Sequence, residues 1–205
     1  GNYEIFAANP DGSALVGAAA IRELAASTGL PIVVTQDFSE RLPFDDASFD
    51  VVYSRAVLHH IKDLRAACSE FFRVLRPGGR LISIREHVIS KHSDLDTFLE
   101  DHPLHRLYGG ENAFLRNQYI SAIKSAGFRL SLILAPFDSP INYAPYSMQR
   151  LSSEIASRLF PNSTSLQSGV TKLLQRGAVW SAARSVLNRI DNRPGRLYSF
   201  IADKE

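Results

Sequence analysis

The residues best suited to chemistry lie where short apolar runs end. Arg85-Glu86-His87 directly follows the apolar run 81–84. A histidine or carboxylate placed there can take a proton when its pKa is tuned near neutral. His59-His60 follows Ala56-Val57-Leu58, and Asp37-Phe38-Ser39 follows the run 31–36. Residues 90–112 then gather His92, His102, His105, Arg106, Tyr108 and Glu111. Such a set offers donors and acceptors to a sugar or another polyhydroxylated molecule. The same histidines raise the question of a metal, but no cysteine pair and no H-E-x-x-H spacing goes with them, and none is assigned. Cys68 sits inside an apolar helical stripe and reads as a buried, inert thiol.

These groups need a scaffold. Apolar runs of strand length, 49–53 and 80–84, flank an amphipathic segment, 63–75, which carries Leu64, Ala67, Cys68, Phe71, Phe72 and Leu75 on one stripe behind a capping Asp63. Strand, helix, strand is a βαβ unit, and its two strands are parallel neighbours. In open sheets of this kind the ligand crevice lies beyond the carboxyl ends of the strands. Asp37, Ser54-Arg55 and Arg85-Glu86-His87 are therefore expected along one rim. Upstream, 3–7 reads as a strand, Asn9-Pro10-Asp11-Gly12 as a turn, 14–26 as a helix closed by Gly29, and 31–36 as the next strand. Downstream come a short acidic helix at 94–100, a helix at 115–126 closed by Gly127, and a strand at 128–134. A proline-bearing stretch with helical patterns at 148–159 and 170–190 precedes a last strand at 196–202. Residues 1–135 with 193–205 are thus expected to form one α/β domain, and 136–192 a helical insertion or cap.

Several blocks in this order carry a resemblance. They are Asp37, Leu42-Pro43-Phe44, Asp46, Ser48-Phe49-Asp50-Val51-Val52, Ser54 and Leu58-His59-His60, then Phe72 and the run from Arg73 through Pro77-Gly78-Gly79 to Leu81. Together they resemble the middle of a class I S-adenosylmethionine-dependent methyltransferase of the type 11 kind. The resemblance implies an α/β, Rossmann-like, three-layer fold whose sheet is mostly parallel with an antiparallel last strand. It implies S-adenosyl-L-methionine as cofactor, with Asp37 accepting from the adenine amino group and Phe38 and Ser39 at the ring. The backbone of Ser54, Arg55 and Ala56 would receive the methionine end, with His59 at the crevice mouth. Ala7 and Ala8 stand where relatives place a ribose-binding carboxylate, a bond that alanine cannot accept. His87 and Glu86 would serve as base for transfer to a hydroxyl, and His60, Arg85, His105 and Tyr108 would meet the acceptor. A first strand with a glycine-rich turn, E/D-x-G-x-G-x-G, is expected ahead of residue 3.

Composition narrows the classes. The 205 residues suit one domain with a core that needs no disulfide. Lys and Arg number 23 against 21 Asp and Glu, interspersed, without the basic run of a nucleic-acid patch. No apolar run approaches the roughly 18 residues of a membrane span. A single cysteine suits a reducing, cytoplasmic compartment. Two functions stand open: methyl transfer to a small-molecule or glycan hydroxyl, or a degenerate methyltransferase-like module that binds no cofactor and acts as an interaction or regulatory domain. A homodimer through the helical insertion is the further partner expected.

Overall fold

The computed structural model describes residues 3–108 and 110–205, the side chains of Leu107 and Tyr108 aside. The chain runs β1 (Ile5–Ala8), α1 (Ala18–Thr28), β2 (Ile32–Thr35), β3 (Phe49–Arg55), a 3₁₀ turn (Leu58–His60), α2 (Leu64–Val74) and β4 (Leu75–Ile89). It continues through α3 (Asp94–Asp101), α4 (Pro103–Tyr108), β5 (Phe114–Leu115), α5 (Arg116–Ser125) and β6 (Arg129–Leu134). Four helices follow, α6 (Pro140–Tyr143), α7 (Met148–Leu159), α8 (Thr164–Leu174) and α9 (Gly177–Ile190), before β7 (Arg196–Asp203).

β3 and β4 pair in parallel, with Val51 opposite Arg80 and Arg55 opposite Ile84, as the βαβ reading requires. β7 enters antiparallel between β4 and β6. The expected single sheet is divided, however. β1 and β2 form their own parallel pair, while the other strands run in the order β3-β4-β7-β6, with β5 on the end of β4. Neither β1 nor β3 has a hydrogen-bonded neighbour on its second side among the described residues. The Phe6 ring of β1 nevertheless packs edge-on against Phe49 at the start of β3, with centroids 5.3 Å apart.

The core lies on one face of the larger sheet. α2 turns Leu64, Ala67, Cys68, Phe71 and Val74 inward, the three- and four-residue spacing that puts one helix face on a sheet. α5 adds Tyr119, Ala122 and Ile123, and the strands supply Leu81, Val88, Tyr198 and Phe200. Cys68 is buried there, and burial together with the Glu86 charge pushes its thiol up to about 12. Asp63 starts α2 by accepting from the backbone N–H of Arg65 and Ala66 at 3.1 and 3.0 Å. Asp63→Ala is expected to cost about 1 kcal/mol, the usual worth of an N-cap, measured by urea unfolding.

The outer helices differ from the core. α7 packs mainly on α8, α8 on α9, and α9 buries no residue. The pattern expected over 170–190 is broken at Gln175-Arg176 into two helices. Of these outer helices, α6 packs against both β4 and β7.

Candidate functional site

The site starts from an irregularity in β4. Its pairing with β7 steps from Ser83↔Phe200 to Glu86↔Tyr198, and Arg85 takes φ +61° within that bulge. Arg85 therefore leaves the rim, donating from Nη1 to the carbonyls of Ile141 and Ala144 at 2.6 and 3.1 Å. No Arg85–Glu86 ion pair forms. Glu86 turns inward instead and is fully buried. Its carboxylate accepts from Val57 N (3.3 Å), His59 N (3.1 Å), His59 Nδ1 (2.9 Å) and Ser83 Oγ (2.8 Å). Burial raises its pKa, but these donors, His59 foremost, outweigh it and hold the carboxyl below the usual range. A carboxylate with four donors is a brace and is ill placed to take an acceptor's proton, which revises the expectation of Glu86 as base.

Glu86 anchors a stack of imidazoles. His59 is buried, its ring centroid 4.2 Å from that of His60 and 4.6 Å from that of His87, which lies 5.1 Å from that of His102. His87 Nδ1 bonds the Gly195 carbonyl at 2.8 Å, and Tyr119 donates its hydroxyl to the His87 carbonyl at 2.9 Å. Burial pushes the His87 imidazole down to about 4, so it is neutral at pH 7 and too weakly basic to suit the expected role. His60, at the exposed end of the stack, bonds the Gly110 carbonyl through Nδ1 at 2.9 Å. Glu111 meets the stack from the far side of the sequence, and its carboxylate lies 3.4 Å from His59 Nε2 and 3.8 Å from His60 Nε2.

The cofactor-side expectations are only partly gathered. Ser54 is buried, its Oγ 2.9 Å from Ser83 Oγ, so only its backbone is offered to the rim. Ala56, at φ +54°, donates its N–H to the Ile84 carbonyl at 2.8 Å, bringing the ends of β3 and β4 together. Such non-glycine residues in the left-handed region cluster at functional sites. Arg55 is exposed. Asp37 is half-buried and its carboxylate accepts no hydrogen bond from the described residues, while Phe38 beside it is 66% exposed. An acid and a bare ring fit an adenine. Ala7 and Ala8 end β1 without a side-chain acceptor, and Asp11, the next acid along the chain, is already occupied by Ser13 N and Oγ at 2.8 Å each. The residues present thus fit the adenine end of S-adenosylmethionine and leave the ribose unmatched.

His105 is half-buried with Nδ1 unpartnered, and among the described residues no hydrogen bond joins it to Arg85. The Tyr108 side chain lies outside the described residues. Cavities of about 490, 380 and 520 Å³ lie elsewhere, against α1 and β2, between α2 and α5, and beside α9. Sequence reasoning passed over Ser83, hidden in an apolar run, and Gly195, whose carbonyl holds His87. It treated Glu111 as one polar residue among many. An acid flanked by so many histidines was the signal available.

Comparison with known proteins bears on the family and the fold. A methyltransferase domain family matches residues 4–83. The uncharacterized protein YafE of Escherichia coli K12 is 51% identical over 51 residues, 25% of this chain and 25% of its own length. The sterol 24-C-methyltransferase erg6 of Aspergillus fumigatus is 33% identical over 105 residues, 47% of this chain and 26% of its own. The match thus spans about a quarter of each of these relatives. The crystal structure of geranyl diphosphate C-methyltransferase from Streptomyces coelicolor A3(2) covers the whole chain and 72% of its own, with TM-score 0.61 at 13% identity, a likeness of fold alone.

Proposed function

We infer, from the premise that this chain belongs to the class I S-adenosylmethionine-dependent methyltransferases, that its protein methylates a small molecule or glycan, at a hydroxyl oxygen. The observation that carries the reading is Asp37, an acid with no hydrogen-bond partner among the described residues, beside the exposed Phe38 past the end of β2. Asp37 would accept from the adenine amino group, and the backbone of Ser54, Arg55 and Ala56 would receive the amino-acid end. When bound, the cofactor supplies a methyl group on a sulfonium for in-line attack. The chain's contribution is to hold the two reactants in line, a term that can reach about 7–11 kcal/mol in well-oriented reactions. His105 would face the acceptor, while Arg85, tied to the α6 loop, would shape that wall. The proton of a hydroxyl acceptor would go to His105, whose Nδ1 has no partner among the described residues. Glu86 is a positioning residue, setting His59 and the turn after β3. The exposed Leu159, Leu166, Leu173, Val186 and Ile190 of α7–α9 are the surface on which a second copy would pack.

Calorimetric titration of the full protein with S-adenosylhomocysteine tests the reading. Binding is expected, and Asp37→Ala is expected to weaken it about 10- to 100-fold, the loss of a hydrogen bond to a charged group. The second reading, a module that binds no cofactor, draws on Ala7, Ala8 and the occupied Asp11. Absence of heat with folded full-length protein would decide for it.

A further inference from the structure

We propose that Glu111, His59 and His60 form a binding site for one divalent cation of the borderline class that imidazole nitrogen favours, with Zn²⁺ as its probe.

The case begins with where the protons must be. His60 Nδ1 faces the Gly110 carbonyl at 2.9 Å, and a carbonyl only accepts, so the proton of the neutral ring is on Nδ1 and Nε2 carries a bare lone pair. His59 Nδ1 faces Glu86 Oε2 at 2.9 Å, a carboxylate that also accepts from two backbone N–H groups and from Ser83. In the neutral ring its Nε2 is then bare as well. Both Nε2 atoms converge on one oxygen, Glu111 Oε2, at 3.4 and 3.8 Å. That oxygen is buried in a side chain only 8% exposed and has no hydrogen-bond partner.

Three lone pairs pointing at one another repel unless something positive lies between them. A water has two protons for three acceptors and leaves one unsatisfied. A divalent cation satisfies all three. Ligand atoms about 2.0–2.1 Å from a tetrahedral zinc stand about 3.3–3.4 Å from each other; the His59–Glu111 distance of 3.4 Å matches this and the His60–Glu111 distance of 3.8 Å is somewhat longer. The three side chains meet the distance condition for a common ion. Glu86 adds the outer partner that metal-bound histidines usually have, a carboxylate on the far ring nitrogen that fixes tautomer and orientation. Two buried carboxylates, Glu86 and Glu111, also leave a negative charge that a dication balances. His60 is 42% exposed, which gives the ion a way in from solvent.

The other oxygen of Glu111 lies 3.9 Å from His102 Nδ1, and His87, His102 and Glu111 make a second grouping of the same kind. Glu111 cannot serve both with one ion at short distance. The His59–His60 side is assigned because its contacts are shorter and both of its tautomers are set by hydrogen bonds.

The test needs no activity. Untagged protein, stripped with a chelator, is titrated with Zn²⁺ in competition with a chromophoric chelator, and Co²⁺ is added separately to read the visible absorption of a bound ion. One equivalent of Zn²⁺ with submicromolar Kd is expected, with Co²⁺ bands of a low-coordinate site. Glu111→Ala is expected to weaken binding at least 100-fold and His60→Ala at least 10-fold. His92→Ala, at an exposed position outside the stack, is expected to leave it unchanged within a factor of two. His60 is partly exposed, and circular dichroism with thermal melts establishes that each variant is folded. A folded wild type with no stoichiometric Zn²⁺, or a His60→Ala variant with undiminished affinity, overturns the assignment. Loss of affinity in His102→Ala with His60→Ala unaffected overturns it in favour of the second grouping.

Discussion

Glu86→Ala is expected to lower the free energy of unfolding by about 3–5 kcal/mol, the cost of breaking a buried charge network from one side. The substitution leaves two backbone N–H groups, the His59 ring N–H and the Ser83 hydroxyl without their acceptor. In a chain of this size that is roughly a 10 °C drop in Tm. Glu86→Gln keeps the volume and one acceptor oxygen and is expected to lose about half as much. The pH dependence has a definite sign. The folded carboxyl lies below its ordinary value, so its contribution is present above the unfolded pKa, about 4.3, and fades as pH falls through the folded value. Thermal melts from pH 7 to pH 2 should show a shallower acid loss in Glu86→Gln than in wild type. A Tm within 3 °C of wild type for Glu86→Ala would mean that the four donors find other partners.

The second large effect is at Gly195, just before β7. Its φ of +76° lies where side chains are disfavoured, and a Cβ there would stand 2.3 Å from Phe98 Cδ2. Gly195→Ala combines a left-handed backbone cost of about 1–2 kcal/mol with about 1–3 kcal/mol for displacing a packed ring. A loss of about 2–5 kcal/mol is expected, read by urea unfolding. Because the Gly195 carbonyl orients His87, the His87 ring should shift too, visible in its imidazole NMR signals. Unchanged stability with unchanged His87 signals would show that Phe98 yields freely.

The βαβ unit was legible because its signals were local: a stripe at helical spacing, a capping Asp63 and a glycine at φ +81° after Pro77. The break between α8 and α9 was not, since apolar spacing continues across Gln175-Arg176 and no proline marks it. The site was legible as a list of residues and less so as roles. Residues 85–87 read as lying past the strand's end, yet β4 runs on to Ile89. The bulge at Arg85 then swaps which side chains face inward, sending Arg85 out and Glu86 in. A positive φ at an arginine leaves no trace in the sequence. The gathering of Glu111 with His59 and His60 spans some fifty positions and depends on the whole fold.

The division of the sheet has a consequence for how the protein behaves in company. Among the described residues β1 and β3 each keep one row of backbone donors and acceptors unengaged, and Val51 and Tyr53 of β3 are 51% and 59% exposed. An open, partly apolar edge is a template on which any extended segment can lay itself down. A soluble peptide of strand-forming sequence should therefore pair along β3, seen as shifted backbone amide NMR signals over residues 49–55.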